Sequence, residues 1–297
     1  MRKSLALIGI TCFMSGILVV SCKKDDSSSV STAEKQEFAT AASTADAEGQ
    51  IAFNEVFDNV LGVNNEVAIG GTGVFAGANP SGDPVLNGPQ GEQCFTLTIN
   101  HMDPNEFFPV QAVIDFGAGC VGKDGKTRKG KIIIEYTARI IAPGAVATTV
   151  FDDYYVDGVK VEGTHTITNQ SSQTELKFNV TVLGKLTKEN GNSSVWNSDR
   201  TITMVAGLST PLNPADDIFS CTGSANGAVT WNSNVHEWSA EIINPLLKKF
   251  SCQWLAQGTI NFKKGSQVYG SIDYGSGECD NQATLSVNGQ TAIITLH

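Results

Sequence analysis

Four segments of this chain alternate apolar and polar side chains with a period of two, the spacing of a strand with one buried face. In 131–140, Ile132, Ile134, Tyr136, Ala138 and Ile140 share one side, against Glu135, Thr137 and Arg139. In 176–182, Leu176, Phe178, Val180 and Val182 oppose Lys177, Asn179 and Thr181. Ile260 and Phe262 alternate with Thr259, Asn261 and Lys263, and Leu285 and Val287 with Thr284 and Ser286. Between such runs stand Asp157-Gly158, Asn190-Gly191, Asn226-Gly227 and Asn288-Gly289. Pairs of this kind favour positive φ and signal hairpins. The pattern predicts roughly a dozen strands in a long antiparallel meander.

A sheet with one apolar face must curl, pack on another sheet or be covered. Upstream, Phe53, Val56, Phe57, Val60 and Leu61 form one helical stripe, with Gly62 as a stop. Ser31-x-x-Glu34 reads as a capping box that opens the helical segment 32–62, and Gly49 is a place where that segment could divide in two. Residues 63–93 carry Pro80, Pro84, Pro89 and many glycines, and read as loop with at most one short strand. Residues 94–297 form the β-rich domain. The expected fold is mainly β: a strongly curved sheet or open barrel with the N-terminal helix against its concave side. A two-sheet β-sandwich is the alternative.

Ile114-Asp-Phe-Gly-Ala-Gly-Cys120 followed by Val-Gly-Lys-Asp-Gly-Lys-Thr127 nearly spells a phosphate-binding loop. From Gly117, Asp124 stands where the hydroxyl should be; counted back from Gly125-Lys126-Thr127, Cys120 replaces the first glycine. The stretch also has a second copy, Ile272-Asp-Tyr-Gly-Ser-Gly-Glu-Cys279, which lacks Gly-Lys-Thr. Cys94 and Cys252 precede the two copies at matching distances. What the copies share is a strand ending in Gly-small-Gly and a cysteine. The near-motif is therefore expected to be a hairpin, with no nucleotide bound.

The N-terminus reads as an export signal spanning 1–21: Arg2 and Lys3, then an apolar run from Leu5 to Val20. Val19-Val20-Ser21-Cys22 resembles the lipobox of bacterial lipoproteins. Cys22-Lys23-Lys24-Asp25-Asp26, followed by Ser27 to Ser29, is similar to the start of Bacteroidota envelope lipoproteins. The resemblance implies a diacylated Cys22 as mature N-terminus, a flexible tether over 22–31, and an outer-membrane location. In some of these proteins a charged patch beside the cysteine marks export to the cell surface. Exported chains meet an oxidising compartment, so Cys94–Cys120 and Cys252–Cys279 are the expected disulfides, with Cys221 left over. The formal charge of −10 becomes more negative once Arg2 and Lys3 leave. That argues against nucleic acid, since the sequence shows no basic stripe to displace counterions from phosphates, and reads as solubility.

No catalytic, cofactor or metal residue stands out. Asp152, Asp153 and Asp157 miss the calcium-loop spacing, and Asp216-Asp217 reads as a loop. His101, His165, His236 and His297 are scattered. Trp196, Trp231, Trp238 and Trp254 sit among Asn and Ser, suited either to a core or to a glycan. The expected function is a non-enzymatic, lipid-anchored envelope protein whose β body binds a glycan, an envelope protein or an apolar ligand. The alternatives are a structural or assembly lipoprotein without a small-molecule ligand, and a carboxylate-based hydrolase.

Overall fold

The computed structural model describes residues 31–64, 66–70, 72–75, 94–210, 216–231, 234–249, 251–252 and 254–296. The signal segment, Cys22, the tether up to residue 30 and most of the Gly/Pro-rich stretch lie outside the described residues.

Helix α1 runs from Thr32 to Gly62. Its start is fixed by the capping box: Ser31 N donates to Glu34 Oε2 at 2.9 Å, and Glu34 N donates to Ser31 Oγ at 3.2 Å. Gly49 does not divide it. A Cβ there would stand 2.3 Å from Trp196 Cγ, so glycine serves the close approach of an indole and leaves the helix whole. After α1, a 3-10 turn at Gly73–Phe75 folds back on the last helical turns, where Val74 N donates to Asn59 Oδ1 at 2.8 Å.

Fourteen strands follow among the described residues: β1 (Thr96–His101), β2 (Val110–Asp115), β3 (Cys120–Val121), β4 (Thr127–Tyr136), β5 (Val146–Val156), β6 (Val159–Asn169), β7 (Lys177–Thr187), β8 (Ser193–Ala206), β9 (Ile218–Trp231), β10 (Asn234–Lys249), β11 (Leu255–Lys264), β12 (Gln267–Ser276), β13 (Gln282–Val287) and β14 (Gln290–Thr295). They make one open antiparallel sheet in chain order, with β3 set against β4 in line with β2. A single sheet covered by a helix replaces the sandwich alternative.

Two local expectations need correction. The alternation of 131–140 ends as a strand at Tyr136. Beyond it the chain turns to meet the segment after α1, where Ile140 N donates to Val67 O at 2.8 Å. Asn226-Gly227 is no turn but lies inside β9, between Asn197-Trp196 of β8 and Ser239-Trp238 of β10. A Cβ on Gly227 would lie 1.8 Å from Val195 O, so this glycine lets two strands approach closely. Asp157-Gly158 and Asn288-Gly289 do turn, all four residues at positive φ.

The helix crosses the strands rather than lying along them. Near its start Phe38 packs on Tyr269 of β12; in the middle Phe53 stacks on Trp196 of β8; near its end Val60 O meets Tyr136 of β4. From β4 to β12 a flat sheet would span roughly 38 Å at ~4.8 Å per strand. The helix from residue 38 to 60 covers roughly 33 Å at ~1.5 Å per residue. The sheet therefore wraps over the helix. Its inner face supplies Ile114, Ile132, Ile134, Ile167, Phe178, Val182, Trp238, Ile260 and Phe262 to the core, all buried.

The internal repeat survives in three dimensions. In both copies the glycine N–H after the aromatic residue donates to the preceding aspartate: Gly117 to Asp115 and Gly275 to Asp273, each at 2.8 Å. Gly117, Gly119, Gly275 and Gly277 all have positive φ, which only glycine adopts without strain. Each kink delivers a cysteine to the one before the neighbouring strand. Cys94–Cys120 and Cys252–Cys279 are bridged, with Cα separations of 5.5 and 5.7 Å.

Candidate functional site

The charged and polar side chains that face inward converge on α1. Asp46 continues the apolar stripe toward the N-terminus and meets β8, where Trp196 and Arg200 share a face because they are four residues apart. Trp196 Nε1 donates to Asp46 Oδ1 at 2.8 Å and Arg200 Nη2 donates to the same oxygen at 3.2 Å. The Asp46 and Arg200 side chains are 3% and 6% exposed. A pair this dry holds only because each charge balances the other.

A second centre joins α1 to the β3–β4 hairpin. Arg128 Nε donates to Glu55 Oε1 at 2.8 Å, its Nη1 and Nη2 reach Asp124 at 2.9 and 2.6 Å, and Lys126 Nζ reaches Glu55 Oε2 at 2.6 Å. The hydrogen bonds from Arg128 hold the Asp124 carboxyl down at about 2. Here the near-motif finds its role. Lys126 and Arg128 clasp Glu55 of the helix while Asp124 holds Arg128, and the chain after Gly125 enters strand β4. Farther along, Lys188 reaches Glu48 at 2.7 Å, and the Tyr136 hydroxyl donates to Val60 O at 2.7 Å. Burial pushes that phenol well above its ordinary range.

Between the two centres lies His165 of β6, fully buried and stacked on Phe53, with ring centroids 6.5 Å apart. It sits opposite Thr149 in the β5–β6 register. Neither imidazole nitrogen nor Thr149 Oγ1 has a hydrogen-bond partner on another residue. Burial drives the His165 pKa from its ordinary 6.5 to about 3, so the ring is neutral at physiological pH.

The other expected residues are spread over the sheet. Asp157 Oδ1 accepts from Thr127 N at 2.8 Å, tying the β5–β6 turn to the start of β4. Asp153 has φ 47° and faces Gly130 in a bulge, and no group of three metal-ligating side chains occurs among the described residues. Trp196 and Trp238 are buried in the core. Cys221 in β9 is unbridged and half-buried. A cleft of about 90 Å³ opens where Thr44 and Glu48 face Asn190, Asn192 and Trp231. Ligand pockets usually measure ~300–1,000 Å³.

Asp46, Glu55, Arg128 and Arg200 were not singled out from the sequence. One signal was there for Asp46: 46, 49, 53, 56 and 60 lie on one helical face, so an acid and a glycine interrupt an otherwise apolar stripe. Compared with known proteins, the chain matches no family model, no curated sequence and no solved structure.

Proposed function

We propose that this is a non-enzymatic, lipid-anchored protein of the bacterial envelope that engages another envelope protein rather than a small molecule. One observation carries this reading: α1 takes up the inner side of the sheet, where a ligand of a curved sheet would lie. The charges there are spent on the helix. Asp46 and Glu55, which α1 turns toward the sheet, are bound by Arg200 and Arg128 instead of facing each other across an open cleft, which speaks against their serving as a hydrolytic pair. The outward face, by contrast, is exposed. Ile133, Val150 and Leu183 form an aliphatic strip there across β4, β5 and β7, continued through Thr164, with Val150 41% and Leu183 68% exposed. Such a strip suits a protein partner.

The anchor rests on Val19-Val20-Ser21-Cys22. Acyl chains contribute ~0.8 kcal/mol per buried methylene, and more than one chain makes attachment stable. Cys22→Ser releases the protein from membranes washed in carbonate; retention would remove the anchor from this reading. Proximity labelling on intact cells, with Leu183→Asp as comparison, then tests the partner. A labelled envelope protein lost in that variant supports the strip, whereas the same labelling in both chains rejects it.

A further inference from the structure

The sheet ends on strand β14, whose outer edge has no partner among the described residues. We infer that this edge joins a second copy of the chain in an antiparallel, two-fold β14–β14 pair centred on Ile293.

The backbone decides the register. Leu296 N donates to Asn281 O at 2.7 Å, in step with the β13–β14 pairing of Gln282 with Thr295. Residues alternate between neighbours along an antiparallel strand. Even-numbered residues of β14 therefore bond β13, and Thr291, Ile293 and Thr295 turn their N–H and C=O groups outward. A two-fold axis at Ile293 sets Ile293 opposite Ile293 of the partner copy, and Thr291 opposite Thr295. Every outward donor of these three residues then meets an outward acceptor. The side chains match as well, isoleucine on isoleucine and threonine on threonine, favourable cross-strand pairs.

Exposed edges are normally blunted by lysine, proline or a bulge. Gln290–Thr295 has none of these: it carries no charge, its six-residue register is unbroken, and Ile293 is 72% exposed. The repeat supplies an independent argument. β13 pairs with β12 as β4 pairs with β2, which makes β14 the counterpart of β5, and the outer edge of β5 carries β6. At the other end of the sheet, β1 suits self-pairing less well. The Met102 N to Pro109 O bond turns Leu97, Ile99 and His101 outward, so a two-fold pair would set leucine against histidine. This inference concerns the edge and stands whether or not Cys22 is acylated.

The test uses the full chain, purified in detergent from membranes or from the soluble fraction, whichever holds it. Protein mass is measured by light scattering during size exclusion, over a concentration series. The expected result is a dimer in the parent chain. Ile293→Lys, which sets two like charges face to face, raises the dissociation constant more than ~10-fold and leaves the melting temperature of the monomer unchanged. In a second arm, in a Cys221→Ser background, oxidation links Ile293→Cys chains to each other through the introduced thiols, located by peptide mapping. The paired Cα atoms stand ~5.5 Å apart, within disulfide reach. Thr291→Cys, displaced from its own copy by about 14 Å along the strands at ~3.4 Å per residue, stays unlinked. A parent chain monomeric throughout the series, a dimer indifferent to Ile293→Lys, or equal linking of the introduced thiols at both positions would overturn the inference.

Discussion

Acidification should loosen the grip of the sheet on its helix through His165. In the folded protein this imidazole is buried and without a hydrogen-bond partner on another residue, and burial lowers its pKa to about 3, against 6.5 when free. Between those values the unfolded chain binds a proton that the folded chain refuses. Stability is therefore full above about 6.5 and falls as pH drops toward 3. One proton corresponds to about 1.4 kcal/mol per pH unit, so about 2 kcal/mol is lost by pH 5. The perturbation that isolates the effect is His165→Leu, close in volume and unable to charge. It also removes two unsatisfied buried nitrogens, so it is neutral or stabilising at pH 7.5. Urea unfolding of both chains from pH 7.5 to 4.5 gives the comparison, because groups common to both cancel. The leucine variant should lose about 2 kcal/mol less than the parent between pH 7 and 5. Parallel pH profiles would mean that His165 is solvated or paired, and the account of the interface would fail.

Other perturbations probe the same interface. Asp46→Ala leaves Arg200 charged and buried, and should cost about 3–5 kcal/mol by urea denaturation; adding Arg200→Met should recover much of that loss. Gly49→Ala improves helix propensity by ~1 kcal/mol, yet its methyl would sit 2.3 Å from Trp196 Cγ. Melting should therefore show net destabilisation, with overpacking costing about 1–3 kcal/mol. Asp124 is held at about 2 by Arg128, so its contribution is present above about 3.8 and disappears as pH falls toward 2. Asp124→Asn should flatten the acid limb of the stability profile in that window and leave the limb from pH 6.5 to 4.5 alone. Replacing Cys94 and Cys120 together by serine opens a loop of sequence separation 26. On loop entropy this should lower stability by about 3.5 kcal/mol, read as a reduced urea midpoint.

Elements governed by local rules were legible along the chain. The capping box at Ser31 and Glu34 sets the helix start because its hydrogen bonds span three residues. Asp157-Gly158 and Asn288-Gly289 turn because two adjacent residues there reach positive φ. The repeated Ile-Asp-aromatic-Gly-small-Gly-(x)-Cys stretch makes the same kink twice because the aspartate caps the glycine N–H in both copies. Asn226-Gly227 carries the same local signal as the turns, yet its flanks pair at full length with β8 and β10, and the strand runs straight through. Gly49 likewise reads as a helix breaker until Trp196 arrives from a strand nearly 150 residues away.

Alternation, turn chemistry and cysteine placement, each a matter of neighbouring residues, by themselves determined an antiparallel meander with an N-terminal helix and two stapled ends. Tertiary structure alone decided that Asp46 and Glu55 meet Arg200 and Arg128, that a near-copy of a phosphate loop clasps a helix, and that His165 is sealed beneath Phe53. Those pairings depend on how far the sheet curls as it crosses the helix. That curl is set by the summed packing of nine strands on one stripe of side chains, and no window of sequence contains it.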